Sequence, residues 1–204
     1  AAALGCSLGA LERAILRFHR LSDVPGFEIP SRYFQFLRTG DPAAIAGVLS
    51  HNQHDLISLA GVLAHALRLV AEGPDACETA GEQLGLGRLY ERAEDLERAA
   101  AAYERAAASD DDEIAVHALA GLAVLMRREG RYDASADAWR RILARAPAGR
   151  PHGVLERRAV EALAIHHEHR ARDLGSARQY AQSLRSAATG RLAAQADHRL
   201  TRLN

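Results

Sequence analysis

The most informative short segment for chemistry is His51-Asn52-Gln53-His54-Asp55-Leu56. His51 and Asp55 are four residues apart, so on a helix they share a face and can point at a common site. The same segment also reads as the polar beginning of a helix, with Ser50 or Asn52 as its cap. A second candidate is His166-His167-Glu168-His169, where His166 and His169 share a helix face as a metal pair that lacks a sequence-fixed third ligand. The acidic run Asp110 to Glu113 precedes the helix starting near Ile114, where acids cap free amides and complement the dipole. The sequence has no Gly-rich phosphate loop ending in Lys, no Gly-x-Ser-x-Gly elbow and no usable triad.

The elements that must position these residues are helical. Of 204 residues 48% are apolar, enough for a real core, and Lys+Arg equals Asp+Glu, which announces no nucleic-acid or membrane partner by net charge. From Arg150 to Asn204, ten arginines face five acids, a basic tail that reads as solvated surface or partner surface. Cys6 and Cys77 lie far apart, which supports neither a zinc knuckle nor a disulfide framework and fits a reducing cytoplasm. No apolar run reaches the roughly 18 residues that span a bilayer, so no membrane partner is expected. Ala1 to Cys6 look faintly like a lipoprotein cleavage box but lack a preceding basic and apolar stretch. The opening residues have the character of a domain interior, which suggests a carboxyl-terminal fragment.

Gly73-Pro74-Asp75 divides the chain into regions 1–73 and 74–204. The first region reads as helices over Ser7 to Phe18, Ser31 to Arg38 and Pro42 to Ala71, with room for a break near His51. An extended loop spans Ser22 to Pro30, and Cys6 falls at a helix start. In the second region Gly87, Tyr90, Ala99, Tyr103 and Ala106 recur 36 residues later as Ala123, Met126, Ser135, Trp139 and Ile142. Gly130 sits at the turn and Pro147 closes the second helix. Small residues let helices approach, and Tyr103 and Trp139 fill the space between hairpins. A looser third copy, Arg158 to Ser186, aligns by Ile165, Leu174, Ala177 and Leu184 after an insertion over Pro147 to Gly153, and a last helix, Arg191 to Leu203, caps the array. The pattern resembles tetratricopeptide repeats. The fold expected is all-α: a tetratricopeptide-like solenoid preceded by a helical segment.

That leading segment carries an ordered set of motifs: Cys6 to Arg13, Asp23 to Pro30, Tyr33-Phe34, Leu37 to Asp41 and His51 to Leu59. Together, over Leu4 to Val70, they resemble the end of the YprB-type ribonuclease H-like domain, a bacterial family to which 3′–5′ exonuclease activity is ascribed. The resemblance implies that Asp55 is the metal-binding carboxylate of the last acidic motif. It places His51 where a related version has Tyr, so both are implied as catalytic positions, with Mg²⁺ or Mn²⁺ in a longer parent protein. Such chemistry needs several carboxylates to hold two ions about 4 Å apart. The other acids before Asp55 are Glu12, Asp23, Glu28 and Asp41, none in an Asp-x-Glu pair. The segment is therefore read as the end of an α/β domain whose sheet is not in this chain, and the chain as not catalytic alone.

Resemblance to tetratricopeptide arrays also implies a groove lined by Arg88, Arg92, Arg127, Arg128, His166, His169 and Arg170. A basic groove would hold a protein segment, in particular an acidic peptide, or nucleic-acid phosphates. The alternative is a stand-alone interaction module with no nuclease role. A charged first-helix surface kept only for solubility is a further reading of the same residues.

Overall fold

Helix punctuation sets the order of elements. A computed structural model of the chain describes residues 7–20, 23–145 and 153–203; among them are ten α-helices and no strand. The expectations placed on Cys6, Leu21-Ser22 and 146–152, including the Pro147 helix stop, lie outside the described residues. The chain divides into two compact units at Ala71/Glu72.

In the first unit, Ser7 caps α1 (Leu8–Leu11), which runs on as a π-helical turn over Glu12–Leu16 and ends at Arg17 in the left-handed region, φ 53°. α2 covers Ile29–Thr39 and α3 covers Ala43–Glu72, thirty residues and so about 45 Å long. The sequence leaves room for a break near His51, yet α3 is continuous there. No Gly or Pro interrupts residues 48–60, Asn52 and Gln53 face solvent, and the polar groups of His51 and Asp55 find partners. Ser50 and Asn52 are therefore interior helix residues and cap nothing. Two glycines let other segments lie against α3: a Cβ on Gly61 would stand 3.1 Å from Leu16, and one on Gly47 would stand 3.1 Å from Val24.

The second unit is a series of antiparallel helices, each packed on the next: α4 (Ala80–Arg92), α5 (Leu96–Ala107), α6 (Asp112–Arg128), α7 (Tyr132–Arg145), α8 (Val154–His166), α9 (Leu174–Ala187) and α10 (Gly190–Arg202). The starts of these helices carry caps. Thr79 and Glu82 form a reciprocal capping box, while Asp95, Asp111 and Asp173 accept from the first-turn amides of α5, α6 and α9. The expected role of Asp110 to Glu113 thus falls to Asp111, and the helix starts at Asp112. Within successive hairpins the turn needs one left-handed residue: Gly130 supplies it at φ 75°, and Glu94, 36 positions earlier, adopts φ 60° without the freedom of glycine.

All ten residues of the 36-residue register are buried. Tyr103 shows why small residues are needed around it. Its ring lies between Gly87 on α4 and Gly121 on α6, where an added Cβ would come within 2.6 Å and 2.7 Å of ring carbons. Its hydroxyl donates to Glu91 at 2.7 Å. Burial, then that hydrogen bond to an anion, push the phenol pKa up. In the second hairpin Ser135 donates to the Ala123 carbonyl at 2.7 Å, and Trp139 fills the place of Tyr103. The third copy is looser: Ala177 and Leu184 are buried, but Ile165 and Leu174 are exposed. α8 also changes to a π-helical turn over His167–Ala171. α6 touches α4 and α8 as well as its sequence neighbours, as stacked hairpins do.

Candidate functional site

The first unit gathers its chemistry around a residue that the motif reading passed over. Glu12 has a side chain only 2% exposed, and a buried carboxylate requires a cation. Arg20 supplies it: Nε donates to Glu12 Oε2 at 2.9 Å and Nη2 to Glu12 Oε1 at 2.5 Å. The same guanidinium reaches Asp55 Oδ1 at 2.6 Å and Asp23 Oδ2 at 3.0 Å. His51 completes the cluster: its Nδ1 lies 2.5 Å from Asp23 Oδ1, and its Nε2 lies 3.4 Å from Asp55 Oδ2. Asp55, one helical turn after His51, thus faces two cationic or donating groups.

The electrostatics follow from these contacts. The Arg20 hydrogen bonds hold Glu12 below the usual carboxylate range, with Ser58 on α3 helping and burial opposing. The hydrogen bond from His51, with the Arg20 charge, does the same for Asp23. Glu12 in turn pushes the Arg20 pKa further up.

Do these residues fit a divalent ion? Both Glu12 oxygens and one Asp55 oxygen already face Arg20, so a guanidinium stands where a metal would collect its ligands. Among the described residues no group of three or more His, Cys, Asp or Glu is arranged to hold a metal. In this arrangement the donor set does not fit a two-metal centre, and no reaction step is derived through one. Of the other acids, Glu28 pairs with Arg32 at 2.9 Å and Asp41 caps the start of α3. Sequence pattern brought out Asp55 and His51 but missed Arg20. The usable signal was Glu12 itself, a lone acid among Leu8, Leu11, Ile15 and Leu16 that required a buried partner.

By length and composition α3 could cross a membrane, although no uninterrupted apolar run announces it. Its apolar character is one-sided. Leu49, Leu56, Leu63 and Leu67 form a stripe with Leu59 beside it, each more than half exposed, while Ser58, Asp55 and His51 serve the ion network. α2 adds the exposed Phe34 and Leu37. An uncovered apolar stripe of this length asks for a partner.

The second unit has a cleft of about 550 Å³ between α6, α7, α8 and the following π turn. Its floor is apolar: Ala123, Ala136, Trp139 and Ile165. Around it stand Arg127, Arg158 and Arg170, with Glu161 as an acid in the lining. The Arg158 guanidinium lies 5.6 Å from the Trp139 ring centroid and that of Arg170 lies 3.8 Å from the Tyr132 centroid. His166 faces Asp133 at 3.6 Å; burial first, then His167, lower its pKa against the pull of Asp133.

Of the groove residues implied by the repeat resemblance, the structure brings Arg127, His166, His169 and Arg170 to this cleft. Arg88, Arg92 and Arg128 do not line it, and Arg128 pairs with Glu91 at 3.4 Å. His169 lies 3.7 Å from Glu168, and it falls inside the π turn that follows His166, away from the regular helix on which a metal pair would depend. Arg158, Tyr132 and Trp139 were not read as site residues. Trp139 appeared only as a repeat position.

Comparison with known proteins adds the following. Residues 2–67 match the RNase H superfamily profile. Over 186 residues the chain is 29% identical to YprB, an uncharacterized protein of Bacillus subtilis (strain 168), in an alignment covering 89% of this chain and 43% of that protein. The amino-terminal part is thus similar to the RNase H superfamily, and the chain, distantly similar to YprB, spans less than half of that protein's length. No solved structure matches.

Proposed function

We propose that this chain is the interaction region of an RNase H-like protein, joining the closing helices of the nuclease domain to a tetratricopeptide-like scaffold that holds a protein segment. The observation that carries this is the uncovered apolar stripe of α3, within the segment that matches the RNase H superfamily. Helices that close an α/β domain bury such a stripe against its sheet, and no strand occurs among the described residues. Alone, the chain would not be catalytic, because a metal site needs further carboxylates that Asp55 does not find grouped with it among the described residues. In a longer protein Asp55 would contribute one carboxylate to a Mg²⁺ or Mn²⁺ site whose other ligands come from elsewhere, and the protein would work in the cytoplasm.

A nuclease assay on the full-length gene product, beside residues 1–204, tests this reading. The full-length product should cleave a 3′-ended strand only with Mg²⁺ or Mn²⁺ and lose cleavage on Asp55→Ala, while the shorter chain stays inactive. Undiminished cleavage by the Asp55→Ala variant would remove Asp55 from the site. One observation favours a second reading, a stand-alone interaction module: Asp55 already has an internal cation in Arg20, so its carboxylate serves the fold of the first unit. Under that reading neither protein cleaves.

A further inference from the structure

The second unit is rich in arginine, and a number of its guanidiniums are already neutralised. Arg128 pairs with Glu91, Arg141 with Glu104, Arg145 with Asp112, Arg185 with Asp197, and Arg199 and Arg202 share Glu168. The cleft gathers three that are not. Arg127, Arg158 and Arg170 line it together, and none of them has a carboxylate within ion-pair distance among the described residues. Two are held in place by aromatic rings and not by acids, which limits the side-chain entropy lost when an anion arrives. Three guanidiniums converge above an apolar floor where the lining offers Glu161 as counter-charge.

We propose that this cleft binds an acidic peptide segment, with an apolar side chain on the floor of Ala123, Ala136, Trp139 and Ile165 and carboxylates on either side reaching Arg127, Arg158 and Arg170. This rests on the reading of the second unit as a protein-binding scaffold and gives that scaffold a site and a partner chemistry. Guanidinium forks bind carboxylates bidentately, and a cleft of about 550 Å³ suits a few side chains. Single-stranded nucleic acid is the poorer occupant. It binds along a continuous basic track with exposed aromatic faces for its bases. Here Trp139 is 4% exposed, and the Tyr132 ring is covered by Arg170, so neither offers a free face to a base.

The test is fluorescence anisotropy on the whole chain with labelled hexapeptides carrying Asp or Glu on both sides of Leu, Phe or Trp. Counterparts with Asn and Gln replacing the acids, and a dT12 oligonucleotide, serve as comparisons. The best acidic peptide should bind at least tenfold tighter than its amide counterpart. Arg127→Glu and Arg158→Glu should each weaken it at least tenfold, while Arg185→Glu, outside the cleft, leaves it unchanged and thermal melts confirm folding. Equal binding of the amide peptides, or no loss in the two cleft variants, overturns the proposal, as does tighter binding of dT12 through the same arginines. Binding that survives the cleft changes but is lost on Arg88→Glu or Arg92→Glu would keep the scaffold reading and refute this site.

Discussion

Replacing Gly87 with Ala adds one methyl group at the contact between α4 and the Tyr103 ring. That methyl would stand 2.6 Å from Tyr103 Cδ1 and 2.7 Å from Cε1, where carbons prefer about 3.5–4.0 Å. The ring would have to retreat by about 1 Å. It has nowhere to go, because its far side lies against Gly121, whose own added Cβ would be 2.7 Å from Cζ. Alanine gains about 1 kcal/mol of helix propensity over glycine, while overpacking a filled core costs about 1–3 kcal/mol. The net expectation is a loss of about 1–2 kcal/mol, which lowers Tm by several degrees. Gly85 provides the control on the same helix, since a Cβ there meets nothing within 4 Å; Gly85→Ala should be neutral or stabilising. Near-ultraviolet circular dichroism dominated by the single tryptophan, Trp139, follows this unit specifically. The packing argument fails if Gly87→Ala melts at or above the wild-type temperature.

Arg20→Met leaves Glu12 as an unpaired buried carboxylate and should destabilise the first unit by about 3–5 kcal/mol. Faster hydrogen exchange in residues 8–16 would register this, and adding Glu12→Gln should recover most of the loss. Glu94→Gly removes a left-handed non-glycine residue from the first hairpin turn, so the urea midpoint should rise, by up to about 1 kcal/mol in stability. The depressed pKa values of Glu12 and Asp23 mean that their contribution is complete above the ordinary values of 4.5 and 3.8 and is lost as pH falls through the lower folded values. His166 acts on a different window: its folded pKa lies below 6.5, so the unfolded chain takes up the proton first and stability falls as pH drops below 6.5. A pH series of melts should therefore show the second unit weakening first, and His166→Gln should remove that early phase.

The array was legible in the sequence because its packing depends on side-chain size at fixed spacing. Tyr103 needs Gly87, Trp139 occupies the equivalent position, and both can be read from a 36-residue shift. Gly121 escaped because it lies outside the repeated set, and only the ring position reveals why it is small. The third hairpin was harder, since the π turn after His166 breaks the regular register on which an alignment depends. In the first unit the face shared by His51 and Asp55 follows from helical spacing, but their partners do not. Arg20 comes from a loop, 31 and 35 residues away, and no periodicity connects it to α3. The cleft was only half visible: the resemblance to tetratricopeptide arrays marked Arg127 and Arg170, whereas the pairing that neutralises Arg128 and leaves Arg158 to Trp139 depends on three-dimensional neighbours.

Solvent protection of the α3 stripe is the most direct check on whether this segment closes a larger domain. Thiol labelling at Leu56→Cys and Leu63→Cys, with Cys6 and Cys77 replaced by Ser, can be timed in residues 1–204 and in the full-length gene product. Rapid labelling in the shorter chain and strong protection in the longer one is the expected result. Equal, fast labelling in both would contradict it, because the stripe would then have no sheet to cover it.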